Sequence, residues 1–182
     1  LIEDDLMKKL LIFFIVLLLY SYCFAGGFLN ELEDKNIMII ENQSFWVTLE
    51  NWGKVQFLSC EDEDNKLIFY IANEKGYIIY KFPDFLGNDW YLYELKAVSF
   101  KDVNKDGLKD IVIIADYMTG IGNEGAIPFP VCGIYFQKGE KFIDLPELNE
   151  EINGVGQNTD ISTVMKFTNS KLKQIDEMLK KY

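Results

Sequence analysis

One nine-residue stretch, residues 102–110, constrains the fold of this chain more than any other. Oxygen-bearing side chains stand at alternating positions within it, at Asp102, Asn104 and Asp106. A tightly turning loop places every second side chain on its concave side, so these oxygens can converge on one hard cation. Gly107 follows directly and permits the sharp turn that such a loop needs. The stretch therefore predicts a metal-binding loop.

The last residues of the stretch complete the predicted site. The backbone carbonyl of Leu108 can add an oxygen, and Asp110 can close the site with a further carboxylate. Several clustered protein oxygens suit Ca²⁺ better than Mg²⁺, because Ca²⁺ accepts more ligands in a flexible geometry. The predicted calcium ligands are Asp102, Asn104, Asp106, Leu108 and Asp110. An ordinary turn is the alternative interpretation, since Asn, Asp and Gly dominate turns for local reasons.

The residues on either side of the loop indicate strands. An EF-hand loop needs a bidentate Glu at its twelfth position, where this chain has Ile113. The run 111–115 is apolar, mostly β-branched and without helical spacing, which favours a buried strand. Residues 97–100 alternate as a strand does. The unit is therefore a strand, a metal loop and a second strand.

This unit resembles the metal-binding blade of the FG-GAP or VCBS-type repeats of integrin-like β-propellers, whose loops read D-x-[DN]-x-D-G-x-x-D. The resemblance covers residues 95–144 and implies a calcium ion bound in a hairpin loop, where it stiffens the turn between two strands of one blade. The motif occurs once in this chain, whereas a closed propeller needs about four blades or more. We therefore expect a small sheet or sandwich and not a closed propeller.

Short apolar or alternating runs predict strands through most of the chain, with polar turn residues between them. The expected strands are residues 36–41, 44–49, 55–60, 67–72, 77–82, 95–101, 110–117, 131–137 and 141–144. The acidic turn 61–65 lacks a glycine at its bend and lacks metal-ligand spacing, so we interpret it as a solvated turn. A short helix is expected over 146–153, and a C-terminal helix over 161–180 with Asp160 as its N-cap. The fold class is thus mostly β, with antiparallel meander or blade-like sheets and a C-terminal α-helix (α+β).

The N-terminal residues have the pattern of a secretory signal. Met7 is followed by two lysines, an apolar run over residues 10–20 and a small residue, Ala25, at the expected cleavage site. We expect Met7 to be the initiator, residues 1–25 to be upstream residues plus signal peptide, and residues 26–182 to form a single exported domain.

Two other interpretations of the N-terminal residues remain open. The apolar run could stay uncleaved as a membrane anchor, although it is shorter than the ~20 residues that a span needs. A lipoprotein would instead be acylated at Cys23. All three interpretations place the remaining chain outside the cytoplasm, either secreted or in the periplasm and cell envelope. Contact with a membrane is expected only through the N-terminal signal, if it is uncleaved.

Charge and composition exclude several functions. The net charge is −11, with no histidine and with lysine as the only basic residue. Such a chain is a poor nucleic-acid binder, because neutralising phosphates needs clustered cations. Catalysis by Ser-His or Cys-His pairs and most zinc sites also need the missing imidazole. In an exported protein, Cys60 and Cys132 either form a disulfide or lie buried separately in strands.

The long irregular segment 116–130 is the best candidate for a contact surface, together with Trp90 and Tyr91, whose flat rings could stack on sugar. A packed crossover loop is the alternative. We expect an exported calcium-binding protein that acts as a binding or interaction module for an unknown protein or carbohydrate ligand, with no assigned catalytic residue. The alternatives are a carboxylate-based, glycosidase-like hydrolase and a purely structural envelope protein.

Overall fold

The structure is a computed structural model that describes Leu32, residues 36–87, 89–120, 122 and 124–182. The predicted signal peptide and its alternatives, within residues 1–25, lie outside the described residues. None of the described helices has the length and apolar character that a membrane crossing requires.

Two antiparallel sheets form the body of the described chain. The N-terminal sheet contains β1 Met38–Ile39, β2 Phe45–Leu49, β3 Gly53–Glu61, β4 Leu67–Ala72 and β5 Ile78–Lys81. The C-terminal sheet contains β6 Tyr91–Lys101, β7 Asp110–Met118, β8 Phe129–Gln137 and β9 Phe142–Asp144. Three helices follow: α1 Pro146–Gly154, α2 Ile161–Ser170 and α3 Leu172–Leu179.

The C-terminal sheet is a meander, and so are strands β2 to β5 of the N-terminal sheet. In the C-terminal sheet the strand order is β6-β7-β8-β9, so each strand pairs with its neighbours in sequence. In the N-terminal sheet β1 and β2 pair with opposite ends of β3, whose other partner is β4, and β4 pairs with β5. The expected fold class is confirmed, because the described strands form two open antiparallel sheets and close into neither a barrel nor a propeller.

The largest core cluster combines buried residues of both sheets, which defines a sandwich. Its centre is aromatic: Phe57 and Phe69 stack at 5.6 Å within the N-terminal sheet. Phe69 also meets Tyr135 of β8 at 6.3 Å. Alternation along the strands supplies these contacts, since residues of one parity share one face. Burial of this apolar surface is the main force that holds the sheets together.

The opposite face of the C-terminal sheet packs on the helices. Val112, Ile114 and Ile134 form a second cluster with Ile152 of α1 and Ile175 of α3. β7 is therefore apolar on both faces, which explains why its sequence is a continuous apolar run rather than an alternating one. The sheet that carries the predicted metal loop is consequently covered on both sides.

Asparagine side chains complete one edge of β8. β9 pairs only with residues 135–137 of that strand, so the preceding backbone groups need other partners. Asn153 accepts from the Cys132 N–H at 2.8 Å and donates to its carbonyl at 2.8 Å, while Asn149 accepts from the Ile134 N–H at 3.1 Å. Helix α1 thus replaces a strand at this edge.

The predicted helix over 161–180 is two helices. Asp160 caps the first one as expected, accepting from the Thr163 N–H at 2.9 Å. Lys171 then leaves the helical region, with φ −114° and ψ 8°. The hydroxyls of Thr168 and Ser170 bond back to carbonyls of the preceding turn, which is typical of residues that weaken a helix interior. Lys171 therefore separates α2 from α3.

Strand β6 begins at Tyr91 and not at residue 95. Its register shifts between Leu92 and Glu94 and again between Leu95 and Ala97. These irregularities interrupt the two-residue alternation on which the prediction depended. The irregular segment predicted over 116–130 is also shorter, because β7 extends to Met118 and β8 begins at Phe129.

Both described cysteines are free and buried. Cys132 belongs to the helix-side core, whereas Cys60 belongs to a third cluster on the outer face of the N-terminal sheet. The inter-sheet core separates these two layers. The structure therefore has two thiols buried separately, and of the two interpretations left open by the sequence the disulfide is wrong.

Candidate metal centre

The predicted metal loop joins β6 to β7 at one end of the C-terminal sheet. Lys101 and Asp110 are the last paired residues, and residues 102–109 form the loop between them. Two residues have left-handed backbone conformations, Lys105 with φ 64° and Gly107 with φ 88°. A Cβ atom added at Gly107 would meet nothing within 4 Å. The glycine is therefore favoured by the backbone conformation and not by lack of space.

Three predicted ligands turn inward and bind the backbone of their own loop. The Asp102 carboxylate accepts from the Asp106 and Gly107 N–H groups, each at 3.1 Å. Asn104 Oδ1 accepts from the Asp106 N–H at 3.3 Å, and Asp106 Oδ1 accepts from the Leu108 N–H at 2.8 Å. Each carboxylate oxygen can accept more than one bond, so these contacts leave capacity for a cation.

Asp110 is the buried member of the group, with 0% exposure. Its two carboxylate oxygens accept from the Val103 N–H at 2.8 Å and the Gln137 N–H at 2.9 Å. Burial raises the pKa of Asp110 to about 7, since a desolvated charge is unfavourable. The nearby Asp106 charge acts in the same direction, and the backbone N–H bonds oppose it.

The lysine next to Asp110 is directed elsewhere. Lys109 donates from Nζ to Glu50 Oε1 at 2.6 Å and to the Thr48 carbonyl at 3.0 Å, and its N–H donates to Glu50 Oε2 at 2.9 Å. These bonds fasten the loop to the turn between β2 and β3. Among the described residues Asp110 has no salt bridge to a lysine. Backbone N–H groups stabilise its negative charge, but no described lysine offsets it.

The arrangement supplies the donor types of a calcium site without a closed cage. The structure brings all five predicted residues into one loop, with the Leu108 N–H bonded to Asp106. No three carboxylate or thiolate side chains of the described residues converge closely enough to hold a metal ion. The loop carboxylates are instead held by backbone N–H groups. The donor set, three carboxylates and an amide, fits a hard cation such as Ca²⁺.

Two residues contact the loop from distant parts of the chain and were not among its predicted members. Glu50 lies 59 positions from Lys109, and Gln137 lies 27 positions from Asp110. Their positions follow from packing of the two sheets and from pairing of β7 with β8. One local signal was available for Gln137, since an amide in an otherwise apolar strand needs a reason to be there.

A groove of about 380 Å³ lies near the opposite end of β8. Trp90, 41% exposed, meets Phe129 edge-on at 5.2 Å in its wall. Tyr91, 62% exposed, lies beside the groove and covers Gly120. Glu150 is the one charged residue among the described residues that line it. The remaining lining residues are Leu86, Pro130, Val131, Asn153, Gly154 and Asn158.

Fold and loop together define a small two-sheet sandwich with helices on one face and an oxygen-rich loop at the end of one sheet. No protein-family model, no curated protein and no solved structure matches this chain. The resemblance to FG-GAP or VCBS-type repeats therefore rests on the loop and its two strands, and it stays a prediction.

Proposed function

We propose that this protein is an exported calcium-binding protein in which Ca²⁺ stabilises the loop between β6 and β7. The observation that carries the proposal is the buried Asp110 carboxylate, which has no cationic partner among the described residues and ends a loop with three more oxygen-bearing side chains. Bound Ca²⁺ would supply the positive charge that offsets the cost of burying this group. Asp102, Asn104, Asp106, the Leu108 carbonyl and Asp110 would hold it.

The expected export of the protein is consistent with a weak calcium site. A loop in which two of the ligands, Asp102 and Asp106, are exposed to solvent is expected to bind Ca²⁺ weakly. Extracellular calcium modules have dissociation constants on the order of 10⁻⁴–10⁻³ M, which suits a compartment rich in calcium. The predicted signal over residues 7–25 would deliver the domain there, secreted or within the periplasm and cell envelope.

Calorimetric titration of Ca²⁺ into the purified protein tests the proposal. The parent should bind one ion, and Asp106→Asn should bind at least tenfold more weakly, because it loses one carboxylate ligand. Asp62→Asn, in the acidic turn between β3 and β4, is the matched control and should bind as the parent does. Absence of binding to the parent, or equal affinity of parent and Asp106→Asn, would contradict the proposal.

We further propose that the domain works as a binding or interaction module, with the groove beside Trp90 as its contact surface. Aromatic walls with a polar rim are typical of ligand grooves, and the exposed Trp90 ring can stack on an apolar sugar face or on a protein side chain.

Trp90→Ala should abolish binding to a glycan or protein captured from the exported compartment. Asp106→Asn measured in saturating Ca²⁺ should leave that binding intact.

A further inference from the structure

Gln137 contacts the candidate metal centre from outside the loop. It is the last residue of β8, 1% exposed, and its N–H donates to Asp110 Oδ1 at 2.9 Å. The position of the buried carboxylate therefore depends on the end of β8.

The side chain of Gln137 faces the layer between the sheets. Residues of one parity in β8 share a face, and Tyr135 belongs to the inter-sheet core. Phe142, the residue of β9 that pairs with Gln137, belongs to the same core. Among the described residues, neither Oε1 nor Nε2 of Gln137 has a hydrogen-bond partner, although both are buried. Buried polar groups are nearly always paired, so this amide needs an explanation.

Trp52 presents the complementary group in the same layer. Its ring stacks on Phe142 at 6.3 Å with an interplanar angle of 22°. The indole Nε1 is the other buried side-chain atom that lacks a partner within the described part of the chain. An indole N–H can only donate, whereas the amide Oε1 of Gln137 accepts. One of the two unpaired side chains stacks on Phe142 and the other belongs to its cross-strand partner, and the two match as donor and acceptor.

Trp52 also belongs to the turn that fastens the loop. This turn connects β2 to β3 and includes Glu50, whose carboxylate binds the backbone and side chain of Lys109. One segment of the N-terminal sheet therefore contacts the metal loop through Glu50 and, through Trp52, contacts Phe142, the strand partner of Gln137. A movement of the Asp110 carboxylate would be transmitted to Gln137 through its N–H.

We propose that Gln137 is a positioning residue for the calcium loop. Its N–H holds Asp110, and its side-chain Oε1 accepts a hydrogen bond from the Trp52 indole when Ca²⁺ is bound. With Ca²⁺ bound, the Asp110 carboxylate would shift toward the loop, the end of β8 would follow through the Gln137 N–H, and the amide would come within reach of the indole. The loop is then fastened to the N-terminal sheet at two points, Glu50 and Trp52. This inference rests on the proposed calcium binding.

The indole N–H resonances of the three tryptophans test it in an ¹H–¹⁵N spectrum. Adding Ca²⁺ to the parent should move the Trp52 resonance downfield, while those of Trp46 and Trp90 stay in place. Gln137→Leu, similar in size but without the amide, should lose the Trp52 shift. It should also bind Ca²⁺ about three- to tenfold more weakly in calorimetry, the range for loss of one hydrogen bond.

Trp52→Phe is the second variant, and it should weaken Ca²⁺ binding by the same factor. The double variant should be no weaker than either single one, because both remove the same interaction. A Trp52 shift that persists in Gln137→Leu would overturn the inference, and so would additive losses. If the parent binds Ca²⁺ while Trp52 stays unmoved, the inference fails and calcium binding stands. If the parent binds no Ca²⁺, both fail.

Discussion

The metal loop 102–110 and the acidic turn 61–65 make the same kind of connection but hold their carboxylates in different environments. Each joins neighbouring antiparallel strands, β6 to β7 and β3 to β4, and each contains a left-handed residue. In the acidic turn, Asp62 Oδ1 accepts from the Asp64 N–H at 3.0 Å and the Lys66 N–H at 2.9 Å. Glu63 and Asp64 of this turn are exposed to solvent. In the metal loop, one carboxylate is removed from water altogether.

The difference shows that acidic residues alone do not make a candidate cation site. An exposed carboxylate is stabilised by water and gains little from an ion. A buried carboxylate without a lysine partner gains much more, because its own desolvation is unfavourable. Spacing around Gly107 and burial of Asp110 distinguish the two connections, and the following substitutions test each part of that distinction.

The largest effect is expected from removing the buried carboxylate. Asp110→Ala leaves the N–H groups of Val103 and Gln137 without acceptors. It should lower the free energy of unfolding by about 2–4 kcal/mol in chelator, since each buried unsatisfied donor costs about 1–3 kcal/mol. Asp62→Ala should cost about 1 kcal/mol or less, because water can replace it. Urea denaturation measures both, and equal losses would remove burial as the distinguishing feature.

The next effect is stabilisation by the ion itself. At a Ca²⁺ concentration tenfold above the dissociation constant, the parent should gain about 1.4 kcal/mol in its free energy of unfolding. Asp62→Asn should gain as much, while Asp102→Ala and Asp106→Ala should gain almost nothing. Thermal melts in Ca²⁺ and in chelator measure the difference. Equal stabilisation of the loop variants and of Asp62→Asn by Ca²⁺ would contradict the proposed difference between the metal loop and the acidic turn.

A smaller effect is expected from the backbone conformation of the loop. Gly107→Ala places a Cβ on a residue with φ 88° and should cost about 1 kcal/mol, from left-handed strain alone. Asn65→Gly, at φ 61° in the acidic turn, should be nearly neutral, because glycine adopts that conformation freely. Denaturation midpoints in chelator check both. A large loss for Asn65→Gly would mean that its bond to Glu61 at 2.6 Å shapes that turn.

The smallest effect is expected at the ion pair between Lys109 and Glu50. Both side chains are about one-third exposed, at 39% and 31%, and such pairs contribute about 0.2–1 kcal/mol. Lys109→Met should therefore cost about 0.5 kcal/mol at low salt and less at high salt. Lys66→Met, directly after the acidic turn, should change stability by less still. Salt-dependent denaturation of the two variants provides the test, and a loss at Lys109 that is insensitive to salt would count against an ionic contribution.

Much of the fold was predictable because its signals are local. The alternating and β-branched runs predicted most of the strands and the pairing of successive strands. Asp160 predicted the start of α2. Errors arose where tertiary contacts override local pattern. The register shifts near Leu92 and Leu95 obscured the first four residues of β6, and the break at Lys171 divided the C-terminal helix. A sequence period cannot indicate such irregularities, because they depend on the neighbouring strand or helix.

The candidate metal centre likewise has features that the sequence predicts and features that depend on the tertiary structure. The sequence by itself determined which oxygens are available in the loop and where the chain can turn, since these depend on residue type and spacing over nine positions. Only the tertiary structure decided that Asp110 is buried, that Lys109 is directed to Glu50 and that the Gln137 N–H binds Asp110. Burial and long-range pairing depend on how two sheets stack, and no stretch of the chain carries that information alone.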